Sequence, residues 1–198
     1  MADTASISAR DIRAAVEQNT SLRARDLAET IGVSEGELVA ANIGHGTVAI
    51  SAHPDDIMGA VPALGEVMAL TRTPSVVHEK VGIYGNYQSG AHAAMVLHDA
   101  IDLRIFPKHW VYAYAVETVT DAGPRRSIQV FDAAGDAVHK VHLRDASHHD
   151  QWATLIETLA LPEQAASPGD GAYQISSVSL NGQVVDASDY WSEDDLLD

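Results

Sequence analysis

The pattern of apolar and polar positions changes once along the chain, from a helical N-terminal part to a part dominated by strands. Residues 6–18 are rich in Ala with few helix-breaking residues, and residues 22–31 end at a glycine, so both segments predict helices. Ser34 is followed three residues later by Glu37, the spacing of a capping box, which predicts a third helix over residues 34–41. The sequence therefore begins with a predicted N-terminal helical layer.

From residue 47 onward the chain is mainly predicted strand, interrupted by one helix. Residues 47–51 predict a short strand, and Pro54 followed by two acidic residues predicts the start of a helix. A closing helix is predicted over residues 148–159. The other predicted strands are rich in Val, Ile, Tyr and Phe and span residues 65–72, 75–81, 93–98, 101–106, 109–118, 125–131 and 137–143. This order predicts the α+β class, a large antiparallel sheet with helices packed on it.

The C-terminal fifth of the chain differs in composition from the rest. Residues 1–160 predict a single domain, which is long enough to bury a core. Residues 161–198 contain eight acidic and no basic residues and predict an acidic linker and tail. Within this tail Asn181-Gly182 is a strong turn signal, around which residues 174–186 could form a short hairpin.

Composition narrows the classes of function. Hydrophobic residues make up 46% and charged residues 20%, as in ordinary soluble globular proteins. No apolar run approaches the ~20 residues needed to span a bilayer, so we expect no membrane insertion. The first ten residues lack the basic and apolar regions of a signal peptide, so we expect a cytoplasmic protein. The absence of cysteine excludes disulfides, zinc–thiolate sites, iron–sulfur clusters and thiol nucleophiles.

The charge balance argues against nucleic-acid binding. The net charge of -16 repels phosphate backbones, although eight of the twelve basic residues fall between Arg72 and Arg144. Residues 25–35 look like a DNA-reading helix-turn-helix. The alternative is a small helical layer with a tight Gly turn, which the acidic balance favours. We therefore expect no nucleic-acid partner.

Isolated polar groups interrupt three of the predicted strands. Arg72, His78 and Arg104 each lie among aliphatic neighbours. Strand alternation places Arg104 on one face with Asp102 and Phe106. Two interpretations of Arg104 stay open: a solvent-side ion pair with Asp102, or a guanidinium held over a cavity to bind a carboxylate or an iron-bound oxygen ligand.

Aromatic residues recur at every second position of the next strand. The alternation places Trp110, Tyr112 and Tyr114 on one face, with small residues such as Ala113 and Ala115 opposite. The aromatic face is either a platform for a flat apolar ligand or, more often, sheet core beneath a helix. The small opposite face leaves room for something to lie against it.

Ten histidines are many for this length, but none forms a metal-binding motif. His139 and His142 are three residues apart on a strand and therefore point to opposite faces, so they cannot chelate one metal together. A nucleophile elbow, a phosphate-binding Gly loop and a dinucleotide fingerprint are all missing from the sequence. No catalytic residue can be assigned, and the ligand of any metal is unknown.

Six segments share their order and spacing with one known family. They span residues 22–41, 64–72, 77–80, 101–106, 126–132 and 135–141. Together they resemble the haemin-degrading HemS/ChuX-type family of bacterial haem-utilisation proteins. The resemblance covers the first of the two repeats found in long, HemS-like members. It implies a cytoplasmic protein that receives haem b after import and either passes it on or takes part in its breakdown.

The resemblance also implies site residues and a partner. An arginine of the first repeat, which lies beside the haem in long members, matches Arg104. Single-repeat members carry histidines at the positions of Arg72 and Arg104, which implies that both positions face the ligand. His78 and Lys80 lie in the shared segments and complete the expected cofactor-binding set, with Arg126 a further candidate for the haem propionates. Single-repeat members are similar to a half-molecule that pairs, so we expect a homodimer.

Three functions follow from these expectations. The first is a haem-binding trafficking or storage protein of haem and iron uptake, the preferred hypothesis. The second is an enzyme that degrades haem with an external reductant. The third is a dimeric interaction module that does not bind haem.

Overall fold

Three short helices form a layer with its own small core. The computed structural model describes residues 7–73, 75–164, 177–180 and 183–186, and its first helices are α1 (Ala9–Gln18), α2 (Ala24–Ile31) and α3 (Glu35–Ala40). The predicted capping box is present: Ser34 Oγ accepts from Glu37 N at 3.1 Å, and Glu37 Oε2 accepts from Ser34 N at 2.7 Å. The three predicted N-terminal helices are thus confirmed.

Helix α3 connects the helical layer to the rest of the fold through buried side chains and a backbone hydrogen bond. In α3 the side chains of Glu35, Leu38 and Val39 are buried, and Gly36 N donates to Gly135 O at 2.9 Å. A DNA-reading helix needs an exposed face for the groove. The helix-turn-helix resemblance of residues 25–35 therefore reflects a packed helical layer, the alternative that the charge balance favoured.

A six-stranded antiparallel sheet forms the body of the molecule. Its strands are β1 (Thr47–Ile50), β2 (Val67–Arg72), β3 (Val77–Gly82), β7 (Tyr112–Thr120), β8 (Gly123–Phe131) and β9 (Ala137–Leu143). They lie in the order β1-β7-β8-β9-β2-β3. A second, three-stranded antiparallel sheet consists of β4 (Tyr87–Gln88), β5 (Ala94–Leu97) and β6 (Asp102–Ile105). The predicted α+β class with a large antiparallel sheet is confirmed, although β4 was not predicted.

Helices and the small sheet cover one face of the large sheet, here called the core face. The covering helices are α4 (Pro54–Ala60) and α5 (Trp152–Leu159). Ile57, Val61 and Leu64 are fully buried in this core together with Ile128 of the sheet. Each such aliphatic side chain stabilises the fold by roughly 1.5–3 kcal/mol through removal from water.

The opposite face, here called the layer face, meets the helical layer. Tyr114 and Phe131 pack there against Val39 and Ile43, with their ring centroids 5.8 Å apart. These aromatics are therefore sheet core beneath a helix. Ala113 and Ala115 lie on the core face and are buried by the protein's own side chains, so the expected free space beside them is absent.

Trp110 departs from the predicted alternation. A 3₁₀ turn over Pro107–His109 precedes β7, which begins only at Tyr112. Because strand parity does not continue through this turn, Trp110 packs with the core-face cluster rather than with Tyr114. The prediction that these aromatics share one face is wrong for Trp110.

The predicted hairpin between residues 127–132 and 137–142 is formed by β8 and β9. Asp132 closes its turn: Oδ1 accepts from Ala134 N at 3.0 Å and from Asp136 N at 2.9 Å. Gly135 has a positive φ of 80°, a conformation that favours glycine. A register shift between Val130 and Phe131 marks a bulge beside this turn.

The C-terminal segment is described only in two short pieces. Strands β10 (Ser177–Leu180) and β11 (Gln183–Asp186) pair antiparallel, which places a two-stranded ladder within the predicted hairpin. The Asn181-Gly182 turn and the remainder of the predicted linker and tail beyond residue 164 lie outside the described residues. Among the described helices, none is both long and apolar enough to cross a membrane.

Candidate functional site

Two adjoining cavities lie where the small sheet meets the core face near β2 and β3. The first, the Arg104 cavity, has a volume of about 260 Å³ and is lined by Thr71, Leu103, Arg104, Ile105, Phe106, His109, Trp110, Asp132, Val138 and His139. The second, the His78 cavity, has a volume of about 250 Å³ and is lined by Ala69, Thr71, His78, Lys80, Ala100, Ile101, Asp102 and Leu103. Each is smaller than the roughly 300–1,000 Å³ of typical small-molecule sites, and the two share Thr71 and Leu103 as lining residues.

Strand β6 positions Arg104. Its alternation buries Ile105 in the core and leaves Arg104 and Asp102 exposed, as strand parity predicts. Asp102 lines the neighbouring His78 cavity, and within the described chain no ion pair joins it to Arg104. The solvent-side ion pair is therefore not formed, and Arg104 is one of the residues that line the Arg104 cavity.

An aromatic and apolar wall faces this guanidinium. Leu103, Ile105, Phe106 and Val138 supply aliphatic and aromatic surface, and Trp110 adds an indole ring. The indole stacks on the imidazole of His139, with centroids 5.8 Å apart and planes inclined by 18°. A cation above an apolar, aromatic wall suits a flat apolar ligand that carries an anionic group.

His139 forms the buried floor of the Arg104 cavity. Its Nδ1 lies 3.0 Å from Thr71 Oγ1, and its Nε2 lies 2.6 Å from the Tyr84 hydroxyl. Burial, with a smaller contribution from nearby His142, lowers the pKa of His139 to about 4. The imidazole is therefore neutral at pH 7, with both ring nitrogens engaged by hydroxyls. This occupancy leaves neither nitrogen for a metal ion.

Asp132 brings a carboxyl group to the rim of the same cavity. Burial is the main cause that raises its pKa above the ordinary value, and the backbone hydrogen bond from Asp136 opposes this rise. Asp132 Oδ1 accepts hydrogen bonds from the backbone N–H groups of Ala134 and Asp136. The main role of Asp132 is therefore to stabilise the β8–β9 turn.

Strand β3 positions His78 and Lys80. The strand register pairs His78 with Thr71 and Lys80 with Ala69, so these side chains share the core-face side and reach the His78 cavity. Both residues are exposed. The structure thus brings His78, Lys80 and Arg104 to two cavities that share a wall.

Arg72 lies elsewhere. It follows Thr71 on β2 and therefore points to the layer face, where it lines a separate cavity of about 320 Å³ with Arg25, Glu35 and Asp136. The structure does not bring the four predicted cofactor-binding residues together: three face the paired cavities, and Arg72 does not. The physical reason is that consecutive residues of a strand point to opposite faces of the sheet, so Arg72 lies opposite to Thr71.

Arg126 is committed to another structural role. Its Nε donates to Glu117 Oε2 at 2.6 Å, and its Nη1 donates to His149 O at 3.0 Å. The guanidinium also lies 6.0 Å from the ring centroid of Trp152. It lines neither paired cavity. The expectation that Arg126 serves a ligand carboxylate is therefore not met.

The sequence left several lining residues unassigned. Thr71, Trp110 and His139 carry no motif, and Tyr84, which supports them from behind, lies 55 residues from His139. Two local signals existed in the sequence: the aromatic alternation that includes Trp110, and the place of His139 on a predicted strand, where it is buried in β9. Across the described residues, no group of three or more His, Asp or Glu side chains could hold a metal ion.

Comparison with known proteins decides the family. A family model described as the Haemin-degrading HemS.ChuX domain matches residues 32–159, which is more than half of the chain. The chain belongs to this family. The match contains both paired cavities and the whole core face, but begins after α1 and α2.

Two curated relatives of this HemS/ChuX chain are hemin transport proteins. The chain is 38% identical over 144 residues to HmuS of Yersinia pestis, covering 72% of this chain and 42% of that protein. It is 34% identical over 173 residues to HemS of Yersinia enterocolitica, covering 85% of this chain and 50% of that protein. The chain thus spans about half the length of the curated relatives that it matches.

Solved structures show the same relation. The chain superposes on holo-PhuS, a heme-binding protein from Pseudomonas aeruginosa, with a TM-score of 0.74 and 40% identity, covering 78% of this chain and 45% of PhuS. For ChuS, described as a heme degrading enzyme of Escherichia coli O157:H7, the TM-score is 0.69 at 31% identity, covering 80% and 48%. The heme binding protein ChuX, at 17% identity and a TM-score of 0.65, shares the fold and is covered over 97% of its length.

Proposed function

We propose that this chain binds haem in the paired cavities and acts as a cytoplasmic carrier or store of haem during haem and iron uptake. The observation that carries the proposal is that Arg104, which has no ion pair among the described residues, lines one cavity with apolar side chains and the stacked indole of Trp110. Haem is a flat apolar macrocycle with two carboxylates and an iron centre, which complements this arrangement. Arg104 and Lys80 supply cations for carboxylates or for an oxygen ligand of the iron.

Relatives support this proposal. Two proteins at 38% and 34% identity are hemin transport proteins, and PhuS at 40% identity is a heme-binding protein. The chain matches only about half of each relative. That it shares the activity of the full-length relatives is therefore part of the proposal. His139 is buried and doubly hydrogen-bonded, so the proposal gives it no iron contact.

Titration of the purified protein with haemin tests the binding. We expect a shifted Soret band that saturates near one equivalent of haemin per chain, because the paired cavities form one site. Serum albumin, measured in parallel, gives the signal expected for specific haemin binding. A protein without a haem site gives the signal of non-specific binding. Absorbance that rises linearly without saturation would contradict haem binding and favour the dimeric interaction module.

A second candidate function is haem degradation, favoured by the 31% identity to ChuS, which is described as a heme degrading enzyme. The two candidates differ in the fate of bound haem when a reductant is supplied. A carrier keeps the Soret band in the presence of ascorbate, oxygen and catalase. Steady loss of the band together with release of iron, measured with a ferrous chelator, would show degradation instead.

We also propose that the chain forms a homodimer through strand β3. The β1 edge of the large sheet is covered, because Gln164 bonds both backbone groups of Ala49 through its side-chain amide. The β3 edge pairs with no further strand within the described ranges, and Val77 and Val81 are 57% and 39% exposed. An open edge with apolar side chains favours pairing with a second chain.

Light scattering after size exclusion tests the dimer. The wild-type species should have twice the chain mass of 21.1 kDa at micromolar concentration. Val81→Lys should give a monomer, because it places a charge on the open edge. Val119→Lys is the matched control, because Val119 is 85% exposed at the far end of β7. A monomeric wild type, or a dimer unaffected by Val81→Lys, would overturn this assignment.

A further inference from the structure

Thr71 occupies the wall between the two cavities. It lines both of them, and its side chain is exposed on the core-face side of β2. Its hydroxyl also contacts His139 Nδ1 at 3.0 Å. A hydroxyl that is fixed from behind and open in front can present either a donor or an acceptor to a ligand, and the hydrogen-bond chain behind it decides which.

The Tyr84 hydroxyl fixes the direction of that chain. Tyr84 is 2% exposed, and His139 Nε2 is the only side-chain partner of its hydroxyl in the part of the chain that the structure describes. If Nε2 carried the proton, the Tyr84 hydrogen would be buried without an acceptor, which is costly. The Tyr84 O–H therefore donates to Nε2.

This direction passes on to Thr71. A neutral imidazole has one N–H, and with Nε2 as acceptor that N–H is at Nδ1. Nδ1–H then donates to Thr71 Oγ1. The Thr71 hydrogen cannot point back at the imidazole, so it is directed to the cavities.

We propose that Thr71 is a specificity-determining residue whose hydroxyl, oriented by His139 and Tyr84, donates a hydrogen bond to a carboxylate oxygen of the ligand at the junction of the two cavities. This inference rests on the proposed function and deepens it, since the ligand carboxylate is taken to be a haem propionate. Arg104 on one side and Lys80 on the other are also pure donors. The three groups together prefer a ligand that offers anionic oxygens. Asp102 and Asp132 also line these cavities and would repel a carboxylate. A hydrogen bond donated by Thr71 would offset part of this repulsion.

Haemin titrations of a matched pair of variants test the ligand contact. Thr71→Val keeps the shape but removes the hydroxyl, and should weaken haemin binding at least about tenfold, the size of a hydrogen bond to a charged group. Thr71→Ser keeps the hydroxyl and should bind within about threefold of wild type. For haemin dimethyl ester, which lacks the carboxylates, wild type and Thr71→Val should bind equally.

The orientation has a readout that needs no haem. In ¹⁵N spectra of the wild-type chain, the His139 ring should show the Nδ1–H tautomer at pH 7. Tyr84→Phe should shift His139 toward the Nε2–H tautomer, because Thr71 is then free to donate to Nδ1. A merely space-filling Tyr84 would leave the tautomer unchanged.

The outcomes separate the two proposals. No saturable haemin binding by wild type overturns the proposed function, and with it the carboxylate contact. Haemin binding by wild type with Thr71→Val unchanged overturns the role of Thr71 alone. An Nε2–H tautomer in the wild type overturns the orientation whatever the ligand. If Thr71→Val fails to fold, the wild-type affinities for haemin and for haemin dimethyl ester and the tautomer spectrum decide: equal affinity for the two ligands overturns the carboxylate contact.

Discussion

At the scale of single residues, His139 is a buried polar group whose ring is held by contacts on several sides. Two hydroxyls and an indole enclose its ring, and it is 4% exposed. A buried imidazole stays neutral because charging it would cost desolvation energy, and none of the described acidic residues offsets this cost for His139. The neutral ring allows a fixed hydrogen-bond chain from Tyr84 through His139 to Thr71. The same burial makes the stability of the fold sensitive to acid.

Acid should destabilise the fold through His139. Its pKa falls from 6.5 to about 4 on folding, so the unfolded chain binds more protons between these pH values. Stability is then fully present above pH 6.5 and lost as pH falls towards 4, by up to about 3 kcal/mol. Urea unfolding at pH 7.0, 5.5 and 4.5 measures this loss.

His139→Gln provides the comparison for that experiment. The variant should be less stable at pH 7 but should lose less stability between pH 7.0 and 4.5. A residual loss is expected, because burial also lowers the pKa of His142. Identical pH dependence in both proteins would show that His139 does not titrate as described.

Strand parity explains which site residues were predictable. Arg104 could be placed from its own strand, because the alternation of residues 101–106 is preserved in β6. The separation of Arg72 from His78 also follows from parity, once the β2–β3 register is known. His139 could not be assigned, because its partners Thr71 and Tyr84 are 68 and 55 residues away and meet it only in the folded sheet.

At the scale of elements, a buried ion pair fastens the helical layer to the sheet. Lys140 Nζ of β9 lies 2.5 Å from Glu35 Oε1 of α3, and the two side chains are 9% and 7% exposed. Lys140 also lies 5.8 Å from the ring centroid of Phe131. Burial is the main cause that lowers the Lys140 pKa, and Glu35 opposes it.

Removing one partner of the Lys140–Glu35 pair should lower the free energy of unfolding much more than removing both charges. Lys140→Met leaves Glu35 buried without its partner and should lower the free energy of unfolding by about 3 kcal/mol or more. The double variant Glu35→Gln, Lys140→Met should recover most of this loss. Urea unfolding at pH 7 checks both. A single-variant loss below about 1 kcal/mol would mean that the pair behaves as an exposed one.

Element types were more predictable than their junctions. The capping box at Ser34 and the β8–β9 hairpin are local in sequence, and both are found where they were predicted. The position of Trp110 was missed because the 3₁₀ turn at Pro107–His109 resets the alternation before β7. Strand β4 has two residues and no periodicity that a sequence could show.

At the scale of the whole molecule, the two faces of the large sheet have different tasks. The layer face packs against helices and holds Arg72 in its own cavity. The core face carries the paired cavities, with Arg104, His78 and Lys80 around them. We therefore propose that the ligand binds on the core face only.

Haemin titration of two arginine variants tests this assignment most directly. Arg104→Ala should weaken haemin binding at least about tenfold, because it removes a charged hydrogen-bond donor from the cavity. Arg72→Ala, with the same loss of charge on the opposite face, should bind haemin as the wild type does. The reverse result, with Arg72→Ala impaired and Arg104→Ala unaffected, would contradict the site described for this chain.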